Sequence, residues 1–98
     1  MEKRDVVDKI LKLIKTKGGK AYKTDGNYKP DIFGCLYGKC LAIECKDTGK
    51  LKEVTEGQEI ELRNWYRAGA IAFVTDSPED ANTILEFARQ GRFKYGNR

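Results

Sequence analysis

Hydrophobic residues recur along much of this chain at the spacing of an α-helix. In the segment 2–19 the apolar positions fall three or four residues apart, and a glycine pair ends the pattern. The segment 55–69 has a similar apolar content and stops at Gly69. The segment 77–91 opens with Ser77, a good N-cap, and Pro78, which suits the first helical position. These patterns predict three helices.

Between the predicted helices lie short apolar runs bounded by glycine and polar residues. The run 70–75 is wholly apolar up to its final threonine, which is typical of a strand buried inside a sheet. Loops are expected at 24–30 and 47–57. The remaining predicted strands are 20–23, about 31–36 and 39–46, the last two joined by a tight turn near Tyr37-Gly38.

The predicted order is α-β-β-β-α-β-α. It indicates an α/β fold in which helices flank a mixed β-sheet. With 98 residues, the chain is expected to form one domain over residues 1–98. The tail 92–98 is expected to add a short strand or to fray.

Composition narrows the class of protein. No apolar run approaches the roughly 20 residues that a membrane span requires. The charged start of the chain does not resemble a signal peptide, so we expect a cytoplasmic protein and no membrane partner. Residues 1–50 hold twelve Lys and Arg against seven Asp and Glu. This basic half suits a polyanion such as nucleic acid, and it suits a well-solvated surface equally.

The three cysteines, Cys35, Cys40 and Cys45, lie among leucine, alanine and isoleucine. We expect them to pack as small hydrophobic residues. The sequence contains no histidine, which argues against a structural zinc site.

A carboxylate and an ammonium end the apolar strand 39–46. Glu44 and Lys46 point to one face because side chains alternate along a strand, and Cys45 points to the other. A hairpin turning at Tyr37-Gly38 would bring Asp31 beside Glu44. The three groups are either a plain surface ion-pair cluster or a functional site.

Two carboxylates and the backbone carbonyl of Cys45 are hard oxygen ligands that suit Mg²⁺ or Mn²⁺. Lys46 could orient a water molecule or help to deprotonate it. Together these groups are suited to metal-assisted hydrolysis of a phosphodiester.

The segments Pro30-Asp31 and Glu44-Cys45-Lys46 resemble the PD-(D/E)xK signature of restriction-endonuclease-like nucleases. Around them, "KGGKAYK", "EGQ" and "RAGAIAFVTDSPED" are similar to the VRR-NUC branch of that superfamily. The resemblance spans about residues 2–85. It implies a restriction-endonuclease-like fold and a DNA endonuclease that acts on branched DNA such as four-way junctions. Stand-alone relatives of this size are typical of phages and resemble Holliday-junction resolvases.

The resemblance also implies residue roles. Asp31 and Glu44 match the metal-binding carboxylates, Lys46 matches the catalytic lysine, and Gln58 matches a helical glutamine beside the active site. The family also uses an acidic residue on the first helix, for which Glu2, Asp5 and Asp8 compete. We choose Glu2 because it lies four residues before Val6 and eight before Ile10, on the inward stripe.

DNA contacts and assembly are less constrained by the sequence. The chain has "DGNYKPD" where the family often has a Gly-rich stretch, so Tyr28 and Lys29 could contact DNA. A homodimer is expected, because cutting two strands needs two active sites. Trp65, Tyr66 and Phe73 are candidate dimer residues, with the core favoured for each. A non-catalytic DNA-binding module is the alternative function. The candidate phosphate contacts are Lys20, Lys23, Lys29, Lys50 and Lys52, each of which could equally be a solvated surface residue.

Overall fold

The computed structural model describes residues 1–96 and contains the predicted elements in the predicted order. One short 3₁₀ turn at Leu51–Glu53 lies in the segment expected to be a loop. The predicted tail forms no strand over residues 92–96, and residues 97–98 lie outside the described part. The helices are α1 (Lys3–Thr16), α2 (Glu56–Arg67) and α3 (Pro78–Arg89), and the strands are β1 (Lys20–Lys23), β2 (Ile32–Leu36), β3 (Lys39–Cys45) and β4 (Ile71–Thr75).

The four strands form one mixed sheet in the order β1-β2-β3-β4. β1, β2 and β3 are antiparallel neighbours, and β4 runs parallel to β3. The β2–β3 hairpin turns at Tyr37 and Gly38, whose φ angles are both positive, at 57° and 75°. Two successive positive φ angles are typical of the type I′ turn, whose twist matches that of the strands it joins. The turn therefore fixes the β2–β3 register.

Helices cover both faces of the sheet, as the alternation of side chains requires. On one face, α1 and α3 pack against the larger core cluster, which includes Ile32, Ile43 and Phe73. On the other face, Leu62 of α2 packs with Ala42 and Ala72. Phe73 is thus a core residue, as favoured.

Trp65 and Tyr66 are partly buried against the smaller cluster on the α2 face, so the core interpretation also holds for them. Their expected role in a dimer remains a prediction. Within residues 1–96, no helix combines the length and the apolar character needed to cross a membrane.

The expectation that all three cysteines pack in the core is wrong for two of them. Cys45 is buried, whereas Cys35 and Cys40 are exposed. Strand alternation puts Leu36 and Leu41 on the α1/α3 face and the two thiols on the α2 face. There the packed residues are Phe33 and Ala42, and the two cysteines lie beyond them towards the turn.

Candidate active site

The two carboxylates predicted to meet do meet at the open end of the β2–β3 hairpin. Ile32 pairs with Ile43, so the next positions outward, Asp31 and Glu44, lie opposite each other. Asp31 immediately precedes β2, and its Oδ2 accepts a hydrogen bond of 2.8 Å from the backbone N–H of Cys45. Both carboxylates are buried, with 8% and 2% of their surface exposed. Hydrogen-bonding and cationic partners are required to hold two such groups out of water.

Lys46 and Gln58 join the same cluster. Lys46 Nζ lies 3.7 Å from Glu44 Oε2. It donates a hydrogen bond of 2.9 Å to Gln58 Oε1. The amide nitrogen of Gln58 in turn donates to Glu44 Oε2 at 3.2 Å. The expected convergence of Asp31, Glu44, Lys46 and Gln58 is therefore confirmed as geometry.

The start of α2 holds Gln58 in place. Thr55 is the N-cap, and its hydroxyl accepts from the backbone N–H of Gln58 at 3.1 Å. Gln58 Oε1 accepts from the backbone N–H of Thr55 at 3.0 Å, which completes a capping box. The glutamine thus serves the helix end and the carboxylate cluster at once.

The expected position of Glu2 on the inward stripe is wrong. Glu2 is the N-cap of α1 with extended backbone, so helical spacing does not yet apply to it. Its side chain is 76% exposed and lies 3.8 Å from Arg4. Asp5 and Asp8 are exposed as well. A role for any of these three acids in metal binding remains a prediction.

Lys3 enters the site instead. Its Nζ lies 3.0 Å from Asp31 Oδ1 and 3.6 Å from Glu44 Oε2. Lys3 begins α1 and stands three and four residues before the buried Val6 and Val7. That spacing places it on the buried face, and it is the sequence signal that could have revealed it.

The cluster changes the acidity of its members. Burial, and next the negative charge of Asp31, raise the pKa of Glu44 to about 7, although Lys3 and Lys46 oppose the shift. Burial lowers the pKa of Lys3, but its hydrogen bond to Asp31 and the two nearby carboxylates outweigh this and raise it. A carboxyl group that resists ionisation this strongly would gain from a further cation.

The donor set fits a hard divalent ion in its chemistry. Asp31 and Glu44 supply carboxylate oxygens, which Mg²⁺ and Mn²⁺ prefer. The backbone N–H of Cys45 contacts Asp31, so the main chain at Cys45 belongs to the site, while the role of its carbonyl remains a prediction. Within residues 1–96, no three side chains from His, Cys, Asp and Glu form a ready metal-binding group.

Two clefts flank the carboxylate pair. One has a volume of about 430 Å³ and is lined by Tyr28, Lys29, Glu44 and Gln58 among others. The other has a volume of about 500 Å³. Its lining includes the basic residues Lys3, Arg4 and Lys23, together with Asp31. Asp25 also lines this cleft, so the lining is mixed in charge, and its three basic residues would suit a phosphate backbone next to the site.

The other lysines predicted to contact DNA occupy different parts of the fold. Lys29 is exposed and paired with Asp25 at 3.2 Å. Lys50 and Lys52 are exposed in and beside the 3₁₀ turn that follows the Lys46 segment. Lys20 pairs with Cys35, so it lies at the far end of the sheet from Asp31.

Comparison of the sequence with protein-family models and with curated proteins found no match. The resemblance to the VRR-NUC nucleases therefore remains a prediction based on the residues of this chain.

Proposed function

We propose that this protein is a divalent-metal-dependent DNA endonuclease that acts on branched DNA such as four-way junctions. The supporting observation is the buried pair of carboxylates, Asp31 and Glu44, with Lys46 two residues further along the same strand end. Burying such groups costs free energy that a structural role does not require. The resemblance to VRR-NUC nucleases supplies the reaction class and the substrate.

Asp31 and Glu44 would hold the metal ion. A bound Mg²⁺ or Mn²⁺ would supply a Lewis acid for phosphodiester hydrolysis. Lys46 Nζ would donate to the attacking water or to a phosphate oxygen and offset the negative charge that develops there. Gln58 would fix the positions of Glu44 and Lys46, because it contacts both.

DNA would approach over the two clefts. Lys3, Arg4 and Lys23 line the cleft beside Asp31 and would contact phosphates without reading bases. A dimer would supply the second active site needed for paired cuts, and the protein would work in the cytoplasm of its cell, a host cell if a phage encodes it.

The test is a cleavage assay with Mg²⁺ or Mn²⁺ on labelled linear duplex, single strand, flap and four-way junction. Wild type, Lys46→Ala and Lys39→Ala would be compared. Lys39 is a matched control because it lies on the same strand as Glu44, about 23 Å from Lys46 at a rise of about 3.3 Å per residue. We expect paired cuts in the junction that only Lys46→Ala abolishes.

Failure to cut any substrate, by folded protein that still binds junctions, would reject the endonuclease and favour the non-catalytic binding module. Equal cutting by Lys46→Ala and wild type would reject the assigned role of Lys46.

A further inference from the structure

The turn end of the β2–β3 hairpin carries two thiols that no part of the proposed nuclease uses. Cys35 on β2 and Cys40 on β3 are direct partners in the antiparallel register. Both are free and exposed. Because directly opposite residues point to the same face of a sheet, the two side chains stand side by side in solvent.

The backbone geometry already suits a disulfide. Opposite residues of an antiparallel pair have Cα atoms about 4.5 or 5.5 Å apart, depending on the kind of pair. Disulfides span Cα separations of about 4.4–6.8 Å, so either kind of pair falls within the range. The turn at Tyr37 and Gly38 fixes this register, since Leu36 and Lys39 form the pair next to it. The bond would therefore close without a change in the strand register.

The third cysteine does not compete for this bond. Cys45 lies on the opposite face, within the core cluster of α1 and α3. Its side chain is fully buried there, with the sheet between it and the other two thiols. A thiol buried on the opposite face of the sheet cannot reach Cys35 or Cys40, so only one pairing is open to the folded protein.

We propose that Cys35 and Cys40 form a reversible oxidation site for low-molecular-weight disulfides of the glutathione type. One thiolate attacks the small disulfide, forming a mixed disulfide and releasing one small thiol. The second cysteine thiolate then attacks the mixed disulfide, closing the Cys35–Cys40 bond and releasing the second small thiol. Two electrons pass to the small disulfide, and the two protons lost by the cysteines leave with the small thiols. Exposed disulfides of this kind are the reducible ones.

This site is separate from the carboxylate cluster. Cys40 lies four residues before Glu44 on β3, about 13 Å away at a rise of about 3.3 Å per residue. The proposal does not depend on nuclease activity, and neither thiol contributes to the cluster.

The test uses the purified, fully reduced chain incubated with glutathione disulfide, then unfolded and treated with iodoacetamide. The mass should fall by about 2 Da for the lost hydrogens, and alkylation should fall from three cysteines to one. Trypsin cuts after Lys39, so the bond should join peptides 24–39 and 40–46. Added reduced glutathione should restore all three thiols.

Cys35→Ser and Cys40→Ser are the matched controls, and both change exposed side chains. In each, the joined peptide should disappear and glutathione should remain on the unpaired cysteine. Alkylation of all three wild-type cysteines after oxidation would overturn the proposal. Stable glutathione on both Cys35 and Cys40, or a bond that joins two chains, would overturn it as well.

Discussion

At one end of the β2–β3 hairpin two carboxylates are buried, and at the other end two thiols are exposed. Cys35 and Cys40 are partners in the strand register, and Asp31 and Glu44 occupy the next opposed positions beyond the Ile32–Ile43 pair. The burial is the reverse of what the polarity of these residues would suggest, because Asp and Glu are almost never fully buried unless paired, whereas free cysteine is among the most buried residues.

The difference arises from what covers each end. At the carboxylate end, the first turns of α1 and α2 bring Lys3 and Gln58 onto Asp31 and Glu44. At the cysteine end, the aromatic contact on the α2 face is between Phe33 and Trp65. Phe33 is two residues before Cys35 on the same face of β2, so the contact involves the residue before the thiol and not the thiol itself. A buried charge held by such partners is a stronger indication of function than the hydropathy of either strand.

The largest expected effect is on the rate of DNA cleavage, which should depend on the carboxylate end of the hairpin and not on the cysteine end. Asp31→Asn and Glu44→Gln should each lower the rate of junction cleavage at least about 100-fold, because each removes a metal-binding charge. A Cys35→Ser/Cys40→Ser double variant should cut at the wild-type rate under reducing conditions. Gel-based rates with circular dichroism as the folding control would measure both. Equal rates for all four proteins would remove the functional contrast.

The next effect concerns pH. The pKa of Glu44 is about 7 in the folded protein and 4.5 in an ordinary glutamate. Between these pH values the folded protein binds more protons than the unfolded chain, so the free energy of unfolding should fall as pH rises. The fall attributable to this group is at most about 3 kcal/mol.

Urea unfolding of metal-free protein between pH 4.5 and 8 would measure this slope. Glu44→Gln should flatten it, whereas Asp8→Asn, on the exposed surface of α1, should leave it unchanged. An identical slope in wild type and Glu44→Gln would show that the carboxyl group ionises normally.

A smaller effect is expected from Lys3, which neutralises the carboxylate pair. Lys3→Met should lower the stability of the metal-free protein at pH 8 by about 1 kcal/mol, since Lys3 is partly exposed and its ion pairs are screened. Added Mn²⁺ should restore more stability to this variant than to wild type, because the ion then meets less competing positive charge. Lys9→Met is the exposed control. A variant as stable as wild type without metal would contradict the role assigned to Lys3.

The smallest effect distinguishes the two halves of the capping box. Thr55→Ala and Gln58→Ala should each destabilise α2 by about 1 kcal/mol, the usual cost of losing an N-cap. Only Gln58 contacts Glu44 and Lys46, so only Gln58→Ala should also lower cleavage about 10-fold. Equal cleavage by the two variants would assign Gln58 a purely structural role.

Much of this architecture follows from local sequence rules. The apolar strand segments and the glycine-containing turn between them predict the hairpin at Tyr37-Gly38. The register of that hairpin then places Asp31 opposite Glu44. Ser77 and Pro78 begin α3 as expected, with the Ser77 hydroxyl accepting from the N–H of Asp80 at 3.1 Å. These features depend on neighbours in the chain, so the sequence reveals them.

The predictions that are wrong concern residues whose burial depends on how the helices are placed in the folded protein. Helical spacing places Glu2 on the inward stripe only if it is extended past the true start of α1. The helix begins one residue later, and the side chain that enters the site is therefore that of Lys3. The apolar neighbours of Cys35 and Cys40 predict a core position, but both thiols are exposed. The sequence of a strand does not show how far a helix on its face extends.

The most direct test of the central claim is Mn²⁺ binding by isothermal titration calorimetry at pH 8, which is independent of any DNA substrate. Wild type and Lys39→Ala should bind one Mn²⁺ per chain with equal affinity, and Asp31→Asn should bind it at least about 10-fold more weakly. Equal Mn²⁺ binding by wild type and Asp31→Asn, or no binding by wild type, would contradict a metal site at this end of the hairpin.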